Sequence, residues 1–443
     1  MILGYPEIPS VVAGETLTLH ISTDHDQFRI DFYRQGEHLE FMNSSDWMTG
    51  RFAPKGRPDE DWAWPGYEIP ISDDWPSGAY IVMLIEGDAG REANAPDVTT
   101  ADSREAKVLF IVKSVTPGQS NRILYKLPLF TYHAYNEAVE CGSLYTGATK
   151  VTLRRPGGGT GGTPWDIEVR DFYDETSPRQ TFAHWDAPFI SWLESNDYVV
   201  DYCTDLDIHE NRNNFLASYR LLLSVGHDEY WSAETRQNVE RFIENGGNVA
   251  FFSGNTCWWQ VQVIENNTAI SCDKSIHLSD SVPFDRWCRL NPENRLTGVS
   301  YRNAGGCWAG EREAVGYTVE RSDHWVYEGT GLNTGEVFGK DDHLIGYECD
   351  GALFVERSRG LKVPTGTDGT RSSFLILGTA KLIKGWEDFK GGNFTATMGL
   401  YTNKGVVFNA ATTDWARVLA SGNEPNVERI TRNVLDHLQR SDT

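Results

Sequence analysis

Apolar and polar residues alternate through the first part of the chain. "GETLTLHIST" (Gly14–Thr23) and "FRIDFYRQG" (Phe28–Gly36) place apolar residues at every second position, the period of a half-buried strand. "SGAYIVMLIEGD" and "EAKVLFIVKS" are continuous apolar runs bounded by turn residues. Short strands separated by Gly, Pro, Asp and Ser predict an Ig-like β-sandwich over residues 1–118, ending in the turn-rich "SVTPGQSN".

The pattern changes at Ile123. "RILYKLPLFTYHAYN" begins with a strand, and strands then alternate with helices. "APFISWLESND" predicts a short amphipathic helix before the strand "YVVDYCTD". "NNFLASY" leads into "RLLLSVGH". In "SAETRQNVERFIENGG", Ser232 caps a helix, Glu234 lies in its positive first turn, Val239, Phe242 and Ile243 share a face, and Gly246-Gly247 ends it. The strand "NVAFFSGN" follows, and the chain closes with the strand in "GVVFNAATTDW" and the helix "NVERITRNVLDHLQR". Continuous apolar strands alternating with helices predict a mostly parallel sheet covered on both faces. Residues 256–400 mix short strands and aromatic turns and read as a long insertion into this domain, which spans 119–443. The fold class is therefore α+β and multidomain.

Charge narrows the function. The chain of 443 residues carries 40 basic and 63 acidic residues, a net charge of −23. That disfavours nucleic acid, which requires a basic face, and anionic membrane surfaces. The opening "MILGYPEIPSVVAGE" has neither the basic nor the apolar region of a secretory signal, and no apolar run reaches membrane-spanning length. The seven cysteines form no CxxC pair. Mostly free thiols in a reducing cytoplasm is the simplest expectation, and a disulfide within the group 257–307 would count against it.

Ligands of open parallel sheets bind beyond the carboxyl ends of the strands. Three such ends are polar here: "TDLDIH" (Asp205, Asp207, His209), "GHDEYW" (His227, Asp228, Glu229, Tyr230) and "FFSGN" (Ser253, Gly254, Asn255). The helix after Trp231 points its positive end at the same region. Each loop alone equally suits helix capping, most of all the alternate aspartates of "TDLDIH". "GGGTGG" lacks the GK[ST] ending of a phosphate cradle, so no nucleotide or organic cofactor is expected. No GxSxG elbow is present, and neither Cys203 nor Cys257 lies in a sharp strand-to-helix turn, which leaves serine and cysteine nucleophiles poorly supported. Trp258-Trp259 and Asp323-His324-Trp325 read as core, and "GYECD" puts Glu348 and Asp350 in a turn.

"TYHAYNEAVECGSLY", "WLESNDYVVDYCTDLDIHE", "LLLSVGHDEYWSAETRQNVERFIENGGNVAFFSGNTCWWQ" and "VVFNAATTDW" together resemble the large (beta) subunit of N,N-dimethylformamidase and its relatives. The resemblance covers roughly Leu127–Thr443. It implies a β-sandwich followed by an amidotransferase-like α/β domain. It also implies hydrolysis of an unactivated C–N amide bond at a mononuclear iron held by two tyrosines and a glutamate. Tyr230 of "HDEYW" corresponds to one tyrosine. The second is sought in residues 183–192, which contain Phe189 and no tyrosine, so Tyr135 and Tyr202 are the substitutes. The glutamate is Glu348 or Glu311, with Glu348 preferred.

The metal ligands expected are thus Tyr230 and Glu348. His227 or Glu229 would move the proton from water to the leaving amine, and Asn255 would donate to the oxyanion. The expected partners are a small amide substrate and either a second copy or a small subunit. The competing expectation is a carbohydrate- or protein-binding relative that keeps the fold without the chemistry.

Overall fold

The computed structural model describes residues 1–87, 107–137, 140–162, 179–275, 285–306, 313–383 and 394–440. Near the amino terminus, strands Ile2–Pro6, Thr16–Thr23 and Gly66–Pro70 form an antiparallel sheet. A second sheet contains Ser10–Val12, Lys107–Lys113, Gly78–Gly87, Gln27–Gln35 and Leu39–Ser44, with Met48–Thr49 pairing alongside. The alternating positions of the first sheet, Leu17, Leu19 and Ile21, meet Phe28, Ile30, Phe32, Val82 and Leu84 of the second in one core. Gly78–Gly87 reads as a continuous apolar run for a physical reason. Tyr80, Val82 and Leu84 face that core, while Ala79, Ile81 and Met83 pack on the large sheet that follows.

That large sheet has nine strands in the order Val200–Thr204, Ile123–Leu127, Leu221–His227, Asn248–Gly254, Gly405–Asn409, Thr395–Asn403, Leu375–Lys381, Tyr317–Val319 and Val337–Phe338. The first four pairings are parallel and the other four antiparallel. The sheet is therefore half parallel rather than mostly parallel. The antiparallel half comes largely from 256–400, so this stretch supplies strands of the sheet itself as well as an elaboration around it. Thr395–Asn403 turns into Gly405–Asn409 through the single residue Lys404 at φ 60°, and such a tight link requires no crossover helix.

The expected helices cover both faces of the parallel half. Ala233–Glu244, capped by Ser232 Oγ accepting from Thr235 N at 3.0 Å, packs Val239, Phe242 and Ile243 on Leu222, Val249 and Phe251. Ala187–Ser195, Trp415–Ser421 and Pro425–Leu438 lie against Leu221, Leu223, Val225 and Phe252 on the other face. A smaller sheet, of Lys150–Thr152, Ala269–Ser271, Trp259–Ile264 and Tyr230–Ser232, lies beside the carboxyl end of strand Leu221–His227. Among the described residues no helix is long and apolar enough to cross a membrane. No disulfide joins the six described cysteines, and Cys307 lies outside the described residues.

Candidate functional site

Two glycines shape the strand ends. Gly226 has φ +68°, and a Cβ there would meet Trp185 Cβ at 2.6 Å, so only glycine lets the chain turn between strand and loop. At Gly254 a Cβ would lie 2.7 Å from both Glu348 O and Thr413 N. Its absence lets the strand Glu348–Gly351 approach and bring Glu348 to the site. Asn255 follows at φ 48°. Asp350 holds that turn by accepting from the backbone N–H of Asn255 at 3.1 Å and of Thr256 at 3.3 Å.

His227, Glu229, Tyr230, Asn255 and Glu348 converge in one buried cluster. Glu348 Oε2 lies 2.7 Å from His227 Nε2 and accepts from Asn255 Nδ2 at 3.1 Å. On the other side of the imidazole, Nδ1 lies 2.7 Å from Gln180 Oε1. Both of these partners present oxygen atoms, an arrangement that favours the doubly protonated ring, while Asn255 Nδ2 lies 3.5 Å from Nε2. Burial pulls the pKa of His227 down, but Glu348, Glu229 and Asp228 outweigh that, and the net shift is upward.

Glu229 lies 3.7 Å from His227 and accepts from Tyr135 Oη at 2.7 Å. The Tyr135 and Tyr230 rings meet edge to face, 6.0 Å between centroids. Lys274 donates to Tyr230 Oη. Burial pushes both phenols well above their ordinary pKa, and Glu229 adds to the effect. Burial likewise raises Glu229, with Glu348 adding to it and His227 and Lys274 opposing.

With this geometry in view, residues 25–428 match the family described as N,N-dimethylformamidase beta subunit-like, C-terminal. The chain belongs to that family. The match begins within the N-terminal strands, upstream of where the sequence resemblance starts. The N,N-dimethylformamidase beta subunit of Paracoccus aminophilus is 23% identical over 302 residues, covering 60% of this chain and 38% of the relative. That of Alcaligenes sp is 28% identical over 90 residues, covering 19% and 12%. In these alignments the chain spans well under half the length of either curated relative. A family 123 glycoside hydrolase from Clostridium perfringens superposes with a TM-score of 0.12 at 10% identity, over 61% of this chain and 48% of its own. That likeness is too slight to carry any argument.

In this member of the N,N-dimethylformamidase beta subunit-like family, the remaining candidates divide between site and scaffold. Asp228 turns away from its neighbours: Lys126 Nζ bridges Asp228 at 2.7 Å and Asp205 at 2.6 Å, and Trp231 Nε1 donates to Asp228 at 2.9 Å. Asp207 forms a capping box with Thr204 at the start of the helix Asp205–Glu210 and also pairs with Lys113 and Ser10. His209 bonds Ser232 Oγ at 2.9 Å. The aspartates of "TDLDIH" thus cap and pair. Ser253 bonds Ser224 and Thr256, and burial drives the Cys203 and Cys257 thiols upward.

Of the two substitute tyrosines, Tyr135 is in the cluster. Tyr202 lies by Tyr125, at 5.5 Å between ring centroids, and its hydroxyl has no hydrogen-bond partner among the described residues. Phe189 is core, packed on Phe252. Trp258 and Trp259 lie under Arg286. Glu311 lies outside the described residues.

Sequence reasoning passed over Gln180, Lys274, Lys126 and Thr131. The Thr131 Oγ1 accepts from Glu229 N at 3.0 Å and Tyr230 N at 3.2 Å, tying the loop to the helix Leu129–Tyr135. Lys126 does leave a sign, as a lysine inside the otherwise apolar "ILYKL" needs a buried counter-ion. Gln180 and Lys274 leave none. Among the described residues, three His, Cys, Asp or Glu ligand atoms within 4.8 Å of one another occur at the surface trio Asp24, His25 and Glu86, not at the strand ends. The oxygen donors of the cluster are instead two phenols and two carboxylates. A cavity of about 530 Å³ at the junction with the N-terminal sheets is lined by Lys113, His133, Arg155 and Asp207; neither Glu229 nor Tyr230 lines it.

Proposed function

We propose that the protein hydrolyses the C–N bond of a small amide, with iron held by Tyr135, Tyr230 and Glu229. The observation that carries this reading is the contact of Tyr135 with Glu229 beside Tyr230, within one cluster that also holds the His227–Glu348 pair. The donor set fits iron in kind. Two phenolates and one carboxylate are hard oxygen ligands whose charge balances a trivalent ion. Glu348, the carboxylate preferred from sequence, is engaged by His227 and Asn255, which favours Glu229 as the ligand and Glu348 as the support of the histidine. When bound, iron(III) polarises the amide carbonyl and lowers the pKa of water.

The chain's own groups then handle protons and orientation. His227, held by Gln180 on one side and Glu348 on the other, delivers a proton from Nε2 to the leaving nitrogen and is recharged by the proton that the attacking water gives up. Asn255 Nδ2 donates to the carbonyl oxygen as it gains charge, and its buried, unpartnered Oδ1 accepts from an N–H of the departing amine. The family relationship supports an amide as the substrate class and a further subunit, or a second copy, as partner. Free buried thiols support a reducing, cytoplasmic setting. The two facing N-terminal sheets support an Ig-like β-sandwich, and the parallel half of the large sheet an amidotransferase-like domain.

One observation favours a second reading, a non-catalytic carbohydrate- or protein-binding relative. Glu229 and Tyr230 are buried, and the cluster's hydrogen bonds are largely satisfied without substrate. Elemental analysis with the visible spectrum separates the two. Stoichiometric iron and a tyrosinate charge-transfer band that shifts or bleaches in Tyr230→Phe support the hydrolase. A colourless protein that takes up no iron after anaerobic loading supports the binding relative.

A further inference from the structure

We infer that Lys274 is a positioning residue for the oxygen of Tyr230, and the inference rests on the functional reading above. Lys274 is an unusual lysine. Its ammonium is directed inward, 4.8 Å from the ring centroids of both Tyr145 and Tyr230 and 5.0 Å from that of Trp259. Among the described residues it makes no salt bridge, and its hydrogen bond is to Tyr230 Oη. Holding a half-buried cation against three aromatic faces, with Glu229 as a nearby charge but no ion pair among the described residues, is costly unless something else needs its charge there.

An ammonium has three donors and no acceptor. It therefore occupies one lone pair of the phenol oxygen and leaves the remaining lone pair for a second partner. That is the role of an outer-shell partner, which fixes the orientation of a metal-binding side chain and tunes its donor strength. Held against the Tyr230 oxygen, the ammonium favours the phenolate, the form that binds a metal, over the phenol, and it lowers the energy of the oxygen lone pair. The chain pins the lysine from its preceding residues: Cys272 N bonds Thr149 O at 3.0 Å, and Asp273 N bonds Asp285 Oδ2 at 2.6 Å.

The test is iron titration of metal-free wild type, Lys274→Met and Lys274→Gln against a competing chelator, with visible spectra and thermal melts of the metal-free proteins. Lys274→Met keeps the length and removes the donor; Lys274→Gln keeps a neutral donor and decides the matter if the methionine variant does not fold. The expected result is a roughly 10–100-fold loss of iron affinity in Lys274→Met, a charge-transfer band moved to lower energy, and an intermediate effect in Lys274→Gln. Wild-type affinity and an unmoved band in the variants would overturn the positioning role while leaving the hydrolase reading intact, provided Tyr230→Phe still shifts or bleaches the band. Absence of iron binding in wild type itself would overturn both.

Discussion

Tyr135 donates its phenolic O–H to Glu229 Oε2 at 2.7 Å across 94 residues of sequence. The contact joins the helix after the first strand of the large sheet to the loop after its third, and on the proposed reading it favours Tyr135 over Tyr202 as partner to Tyr230. Tyr135→Phe should therefore lower iron content and shift or bleach the charge-transfer band. Tyr202→Phe removes a hydroxyl that has no hydrogen-bond partner among the described residues and should leave both unchanged. Equal effects from the two variants would remove Tyr135 from the ligand set.

The two carboxylates of the cluster are separable in the same way. Glu229→Gln should take iron binding below detection, because on the proposed reading it removes a ligand. Glu348→Gln should cost only about 10–100-fold in affinity, as an outer-shell change does, while depressing turnover more deeply. Without Glu348, burial acts on His227 with less opposition, and its proton is lost at lower pH. The alkaline limb of the activity profile should accordingly move to lower pH. The reverse ranking in the iron assay would restore Glu348 as the ligand.

Lys126 anchors the loop from its far side. Its ammonium is fully buried between Asp205 and Asp228, 4.8 Å from the Trp231 ring centroid. Lys126→Met would leave two carboxylates buried without their cation, which costs about 3–5 kcal/mol. Urea unfolding should show a lower midpoint with an unchanged slope. A loss below about 1 kcal/mol would mean the aspartates are satisfied by Ser224, Trp231 and the Phe130 N–H alone.

The parallel strands and their helices were readable because burial on both faces leaves continuous apolar runs such as Leu221–Val225, and because Ser232 and Gly246 punctuate the helix between them. The convergence of His227, Glu229, Tyr230 and Asn255 was readable too, since parallel strands present their carboxyl ends together. The antiparallel half was not. Thr395–Asn403 and Gly405–Asn409 pair through a single-residue turn that carries no Asn-Gly or Asp-Gly signal. Gln180, Lys274 and the choice between Tyr135 and Tyr202 depend on contacts between distant segments, which no local pattern encodes. Asp228 shows the limit most clearly. It stands between two cluster residues in sequence, yet the alternation of side chains along an extended loop turns it to the opposite side, toward Lys126.

Asp186 offers a test of the scaffold that is independent of any metal. It is completely buried and accepts from Tyr125 Oη at 2.8 Å and from Tyr132 Oη. Burial raises its pKa from 3.8 to about 7, outweighing the two phenol donors that favour the charged form. Because the folded state holds this proton more tightly than the unfolded chain, the folded state is favoured most below the unfolded value. Stability is then lost as pH rises from about 4 toward 7. Above that window the ionised carboxylate is a cost of roughly a few kcal/mol, at about 1.4 kcal/mol per pKa unit. Asp186→Asn keeps an acceptor for one tyrosine, and the other hydroxyl can reverse to accept from the amide. The variant should therefore match wild type near pH 4 and exceed it near pH 7.5. A residual slope should persist from Asp205, raised to about 7, and Asp350, raised to about 8. Denaturant unfolding of both proteins across that range would decide it: parallel stability curves would mean that Asp186 ionises at its ordinary pKa, with the two tyrosines supplying all the solvation it lost.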